Sequence, residues 1–274
     1  MSTTTFDQPS SARLEDADLA AALVGDLLSR ASHEKTPVVK LTDEELTVLD
    51  GTDSRQLAPR PWFTELAETS REVALGVALR GLIVRGLVVP SAVEESTGRT
   101  SLDMDDDVHA ALVARRAASS VVIAERQTNH ASWSKVCYLQ GNDGVVEEDV
   151  SPGGLHTLWA GPVSGLADSL ARFADPDDVA AQEPTRPPRE VALEDVARGT
   201  AQVGPSSDSL YVTVIGHVYL DNEGASATRR LSVFAGTDAV EAASSVDDRK
   251  VVRIEEVSRP ELRSAVEHLL GVVA

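Results

Sequence analysis

Residues 119–174 constrain the fold more than any other stretch of this chain. Trp133, Lys135, Cys137 and Leu139 alternate with Ser134, Val136 and Tyr138, the period-two pattern of a strand with two unlike faces. An apolar run at 119–126 precedes this strand, and Gly141-Asn-Asp-Gly144 follows it with the residues a hairpin connection needs. Two further extended segments are expected at 145–150 and 155–160. A helix is expected over 162–174, where Leu166, Leu170 and Phe173 fall at i, i+4 and i+7.

The same order returns near the end of the chain. Residues 210–220 read as a long strand, Asp221-Asn-Glu-Gly224 as a turn, and 229–235 and 250–257 as two more strands. A helix over 259–272 opens on Ser258-Arg-Pro-Glu261, a capping box with Pro at an early position. Leu262, Val266, Leu269 and Leu270 form its apolar stripe. The two runs share a plan and not their letters. Together they predict an α/β (α+β) fold, a pseudo-twofold central antiparallel sheet made of two hairpin-strand-helix halves with flanking helices.

Residues 1–12 read as a disordered tail. Residues 13–174 form the N-terminal half, 175–190 a linker rich in Pro and acid, and 191–274 the C-terminal half, the two halves making one domain. Within the N-terminal half, 14–31 is a helix with Leu19, Leu23 and Leu27 spaced by four, flanked by Ala20, Val24 and Leu28. Residues 38–41 are a short strand. Thr42-Asp-Glu-Glu45 is a capping box opening a short helix with Leu46 and Leu49 inward. Residues 51–61 are a loop in which Pro59 and Pro61 block a helix. The helix over 69–86 is expected to bury Val73, Val77, Leu79, Leu82 and Ile83 and to stop at Gly86. Residues 87–89 are extended, 92–100 a polar loop, and a further helix starts in the acidic run at 103–107 and ends near Ala118.

At 274 residues, 42% hydrophobic and 25% charged, the chain suits a soluble globular protein. Its formal charge of −19 repels phosphate backbones, which disfavours nucleic acid. The polar N-terminus lacks the pattern of a secretory signal, and no run approaches the ~20 apolar residues that span a bilayer, so a cytoplasmic location is expected. Cys137 is the single cysteine, which excludes an intrachain disulfide.

Familiar catalytic patterns do not occur. The six histidines include no i, i+4 pair and no HExxH, and Asp103, Asp105, Asp106 and Asp107 lack the spacing of a calcium loop. Carboxylates at that place suit the positive end of a helix. Gly161-Pro-Val-Ser164-Gly165 puts its serine one place late for a nucleophile elbow, and no phosphate loop is present. No cofactor, metal or catalytic residue is therefore assigned. An enzyme whose site converges from distant residues on His217 or His130 stays open as a third reading. The runner-up is a winged-helix-type DNA-binding regulator that reads DNA through the helix at 69–86, with Arg71, Arg80 and Arg85 as its basic stripe.

The order and texture of several segments resemble the EspG family, the cytosolic chaperones of actinobacterial type VII secretion. These segments are Leu41-Thr-Asp-Glu-Glu-Leu46, Leu79-Arg-Gly-Leu-Ile-Val-Arg-Gly-Leu87, Leu112-Val-Ala-Arg-Arg116, Val121-Val-Ile-Ala-Glu-Arg126 and Pro260-Glu-Leu-Arg-Ser-Ala-Val-Glu-His-Leu-Leu270. Together they extend over most of 38–272. The resemblance implies a non-enzymatic protein that binds a helical secretion substrate of the PE/PPE kind and keeps it soluble. It places the contact on the central hairpin strands and C-terminal helices, where Trp133, Tyr138, Trp159, Leu262 and Leu269 are the candidate partner-binding residues. A homodimer is a further possibility. The additional helix at 14–31 departs from the family pattern.

Overall fold

The computed structural model describes residues 17–51, 57–94, 99–141, 144–181, 183–198, 200–201, 209–221, 224–246 and 250–271. In chain order the elements are α1 (Ala17–Arg30), β1 (Thr36–Thr42), α2 (Asp43–Asp50), α3 (Pro61–Glu65), α4 (Glu68–Val84), β2 (Val88–Glu94), β3 (Arg99–Met104) and α5 (Asp106–Ala117). They continue as β4 (Ser120–Gln127), β5 (Ser132–Leu139), β6 (Val145–Val150), β7 (Leu155–Gly161) and α6 (Leu166–Ala174). The last are β8 (Arg189–Ala192), α7 (Leu193–Ala197), β9 (Tyr211–Asp221), β10 (Gly224–Ala235), β11 (Val240–Val246), β12 (Val251–Glu256) and α8 (Arg259–Leu270). The fold is α/β, with a large antiparallel sheet flanked by helices. The expected tail at 1–12 lies outside the described residues. Among the described residues no helix is long and apolar enough to cross a membrane.

Two compact units make up the chain, one from 1–118 with 142–162, the other from 119–141 with 163–274. In the first, the strands run in the order β1-β7-β6, all antiparallel, while α1 packs on α5 and α2 on α4. The capping box that opens α2 is formed: Thr42 Oγ1 accepts from Glu45 N–H at 3.3 Å, and Glu45 Oε2 accepts from Thr42 N–H at 3.1 Å. Gly154, in the β6–β7 turn, has φ +74°, and a Cβ there would lie 2.7 Å from Asp43 Oδ2. The turn needs glycine on both counts. Edge strand β1 carries Pro37, with a register shift between Pro37 and Val39.

Several details of this unit differ from the sequence reading. Pro61 starts helix α3 instead of preventing one, because the first helical position has no intrahelical use for an N–H. α1 buries Ala20, Val24, Leu27 and Leu28, whereas Leu19 is exposed, so the inward face is the flank of the Leu stripe. β2 pairs with β3 as a hairpin, where the sequence suggested a polar loop followed by the acidic start of a helix. α5 does begin in the acidic run, with Asp105 as its N-cap accepting from Asp107 and Val108 N–H. α4 buries Ala78 and Leu82, but Val73, Val77 and Ile83 are exposed, because only one side of the helix meets α2. Gly86 follows it with φ +72°, as a stop signal should.

The second unit is built on strands in the order β5-β4-β9-β10-β11-β12-β8, each antiparallel to its neighbour. β4 and β9, which open the two recurring runs, lie side by side with Ile123 opposite Gly216. The chain plan is four strands and a helix in each run: β4 to β7 then α6, and β9 to β12 then α8. β11 was not expected, since Val-Glu-Ala-Ala-Ser-Ser-Val has weak strand propensity. It is extended because it is paired on both sides, by β10 and by β12. α8 starts at the expected box, where Ser258 N–H donates to Glu261 Oε2 at 2.8 Å.

Candidate partner-binding face

α6 and α8 cover one face of the second unit's sheet. On that face Val122, Ala124, Lys135, Cys137, Thr213, Ile215 and His217 are all buried. Phe173 of α6 places its ring 4.8 Å from the Arg126 guanidinium and 5.7 Å from the Lys135 ammonium. Trp133 and Tyr211 complete an aromatic enclosure around Arg126, at 4.9 and 5.5 Å, and Arg126 Nη1 donates to Phe173 O at 2.9 Å. The hydrogen bond to Asp177 holds the Tyr211 hydroxyl above its ordinary pKa. α8 is tied to the same face through its C-terminal carbonyls: His217 Nδ1 lies 3.4 Å from Leu269 O, and Arg229 Nη1 donates to His268 O at 3.3 Å. Burial, partly offset by that carbonyl, lowers the His217 pKa, with the Arg229 charge adding to the effect.

The opposite face is open over the C-terminal half of β4 and across β9 and β10. Ile123, Val212, Gly216, Val218 and Phe234 are half-buried there, and Val214 is 42% exposed. Glu125, Gln127, Ser132 and Arg230 are exposed around them. The result is a shallow apolar floor with a polar border, the composition of a protein-binding surface. Gly216 lowers the floor at its middle by having no side chain.

The residues named from the sequence are distributed unevenly about this face. Tyr138 lies on the open side of β5 but is 1% exposed, and Leu262 and Leu269 are 1% and 5% exposed on the inward stripe of α8. Trp133 is half-buried on the helix-covered side, against Arg126. Trp159 belongs to the first unit, where its Nε1 donates to Asp149 Oδ2 at 3.1 Å and the Lys35 ammonium sits 5.0 Å from its ring. The sequence reading passed over Ile123, Val212, Val214, Val218 and Phe234. Their alternation was legible, but which side the helices would cover was not.

The first unit contains a buried charged cluster with no sequence signature. His156 Nε2 is 2.7 Å from Asp43 Oδ1, and His156 Nδ1 is 2.7 Å from Glu148 Oε1. Arg115 Nε donates to Glu148 Oε2 at 2.9 Å, Arg115 Nη1 reaches Asp50 Oδ2, and Arg116 Nη2 donates to Asp50 Oδ1 at 2.8 Å. Asp43 Oδ2 also accepts from Phe63 N–H at 2.9 Å. A carboxylate at each ring nitrogen requires two N–H donors, which only the imidazolium has. Burial works against that charge, but the hydrogen bonds to Asp43 and Glu148 outweigh it and raise the His156 pKa. Both nitrogens are engaged, and the residue is fully buried. The imidazole is a clamp between elements.

The other constellations resolve simply. His130 is exposed in the β4–β5 turn, where its backbone N–H donates to Thr128 Oγ1. Among the described residues no group of His, Cys, Asp and Glu could hold a metal ion. Arg71 donates to Thr64 O and stacks on Phe63, while Arg85 is bound by Glu45 and Lys40 O. Arg80 stands about two and a half turns from Arg71, on the other side of α4. The three arginines do not make the basic stripe that a DNA-reading helix would need.

No family model and no curated relative matches the chain. Among solved structures it is similar to the Mycobacterium tuberculosis type VII secretion system chaperone EspG5, determined in complex with a PE25-PPE41 dimer. The superposition has a TM-score of 0.58 at 14% identity and covers 86% of this chain and 96% of the other. The chain has the EspG fold. At this identity the EspG likeness rests on architecture, in agreement with the strand and helix plan already visible in the sequence. That neighbour is a chaperone.

Proposed function

We propose that this chain is a non-enzymatic, cytoplasmic chaperone of the EspG kind, which binds a helical type VII secretion client and keeps it soluble. The observation that supports the reading most is the open floor of Ile123, Val212, Val214, Val218 and Phe234 on β4, β9 and β10, bordered by Glu125, Gln127, Ser132 and Arg230. A helical partner can lay its apolar face along such a floor, taking its affinity from burial and its orientation from the border. The likeness to EspG5 bound to PE25-PPE41 supports a client of the PE/PPE class. A net charge of −19 suits a carrier that must hold an apolar segment without precipitating.

The test is capture from the native cytosol at low and moderate salt, with wild type, Val214→Asp and Phe234→Asp compared. A stoichiometric small helical protein that survives moderate salt and is lost in both variants supports the reading. Capture that ignores both substitutions removes this face from the function. DNA retained at low salt and shed as salt rises would favour a regulator.

A further inference from the structure

From Val73 to Val84, with Arg80 the one charge, α4 carries apolar residues on every side, yet only one side is covered. Ala78 and Leu82 are buried, while Val73, Val77 and Val84 on the other side are 67%, 63% and 87% exposed. Leu75 and Leu79 are half-buried, and Ile83 is exposed. A helix apolar all round belongs in an interior. The exposed arc is centred on Gly76 and Arg80, with Val73, Val77 and Val84 along one flank and Glu72 and Ile83 along the other.

We propose that α4 is a contact between two copies of this chain, paired antiparallel about Gly76. Three observations select a second copy as the occupant. Glu72 and Arg80 are both exposed, and among the described residues neither has an ion-pair partner. They stand four residues to either side of Gly76, so a twofold axis at Gly76 sets each Glu72 against the Arg80 of the other copy. A Cβ built on Gly76 meets nothing within 4 Å, so the backbone there is open to close approach by a second helix. In an antiparallel pair each flank meets its own copy, which sets Val73 and Val77 of one chain against Val77 and Val73 of the other, with Val84 at the end of the contact. The contact is isologous and closes on itself.

A 17-residue helix is ~25 Å long, so this face alone is a small interface and the affinity belongs in the micromolar range. The inference concerns α4 alone and stands apart from the sheet face assigned to a client. Its test is light-scattering mass measurement of the full chain from about 1 to about 100 µM. The expected result is a rise from the 29.1 kDa chain mass to twice that value, abolished by Val77→Glu with an unchanged melting temperature. Glu72→Arg alone and Arg80→Glu alone should each weaken the dimer at least tenfold. An equimolar mixture of those two variants should restore it, since the paired positions of one chain are then both arginine and those of the other both glutamate. Monomer at every concentration overturns the proposal, as does a dimer that ignores all three substitutions. Monomer combined with loss of client capture in Val77→Glu overturns it too, and assigns the face to the client.

Discussion

His156 and Asp43, 113 residues apart in the sequence, meet at 2.7 Å in the core of the first unit, and Glu148 holds the other side of the same ring. The ring joins strand β7 to the first turn of α2 and to β6 through charge. Removing it leaves two buried carboxylates facing each other. His156→Ala is expected to cost about 3–5 kcal/mol of unfolding free energy, read from urea titration. A loss below about 1 kcal/mol would mean that the ring does not clamp these elements.

The sign of the pH dependence follows from the raised pKa. The contribution of His156 is complete below its ordinary value of 6.5 and is lost as pH rises through the higher folded-state value. The stability difference between wild type and His156→Gln should therefore shrink as pH is raised above neutrality. A difference that grows on alkalinisation contradicts the imidazolium assignment.

Gly154→Ala tests the turn that receives Asp43. The substitution must hold a left-handed φ of +74° and displace the Asp43 carboxylate from 2.7 Å. The backbone cost alone is about 1–2 kcal/mol. The melting temperature should fall by several degrees, and unchanged melting would show that the turn has another conformation available.

Arg126→Lys keeps the charge inside the Trp133, Phe173 and Tyr211 enclosure and removes the planar group that stacks there. A loss of about 1–2 kcal/mol is expected, with a change in tryptophan fluorescence. If lysine is fully tolerated, the enclosure acts by burial alone.

Ser258→Ala should destabilise the start of α8 by about 1 kcal/mol in thermal or urea unfolding. The Ser258 N–H and hydroxyl lower the Glu261 pKa below its ordinary 4.5, so the box contributes above that pH and is lost as pH falls through the folded-state value. The difference between wild type and Ser258→Ala should accordingly narrow in acid.

What could be seen in the sequence was what short-range chemistry decides. The α2 and α8 capping boxes, the alternation in β5 and the stop at Gly86 each depend on a few adjacent residues, and all are present. β11 was hidden because Ala and Ser favour no strand until neighbours supply hydrogen bonds on both sides. The exposure of Val73 and Val77 was hidden because a helix apolar all round gives no periodic sign of which side is covered. The open floor of β9 and β10 was missed for a related reason. Alternation separates two faces, but only the docking of α6 and α8 decides which is covered. The His156 cluster is assembled from β7, α2, β6 and α5, at separations no local motif records.

Pro37 has a consequence for how such a chain can be stored and expressed. Strand β1 is an edge, and an unpaired edge is a template on which another strand can grow. Pro37 lacks the N–H that growth would require, and the register shift beside it bends the strand out of line. In the second unit the edge strand β8 is only four residues long, with Arg189 and Glu190 at its start. Crowding the protein should therefore not extend its sheet into fibres, and concentrated preparations should stay clear of cross-β aggregates even while apolar side chains remain in view.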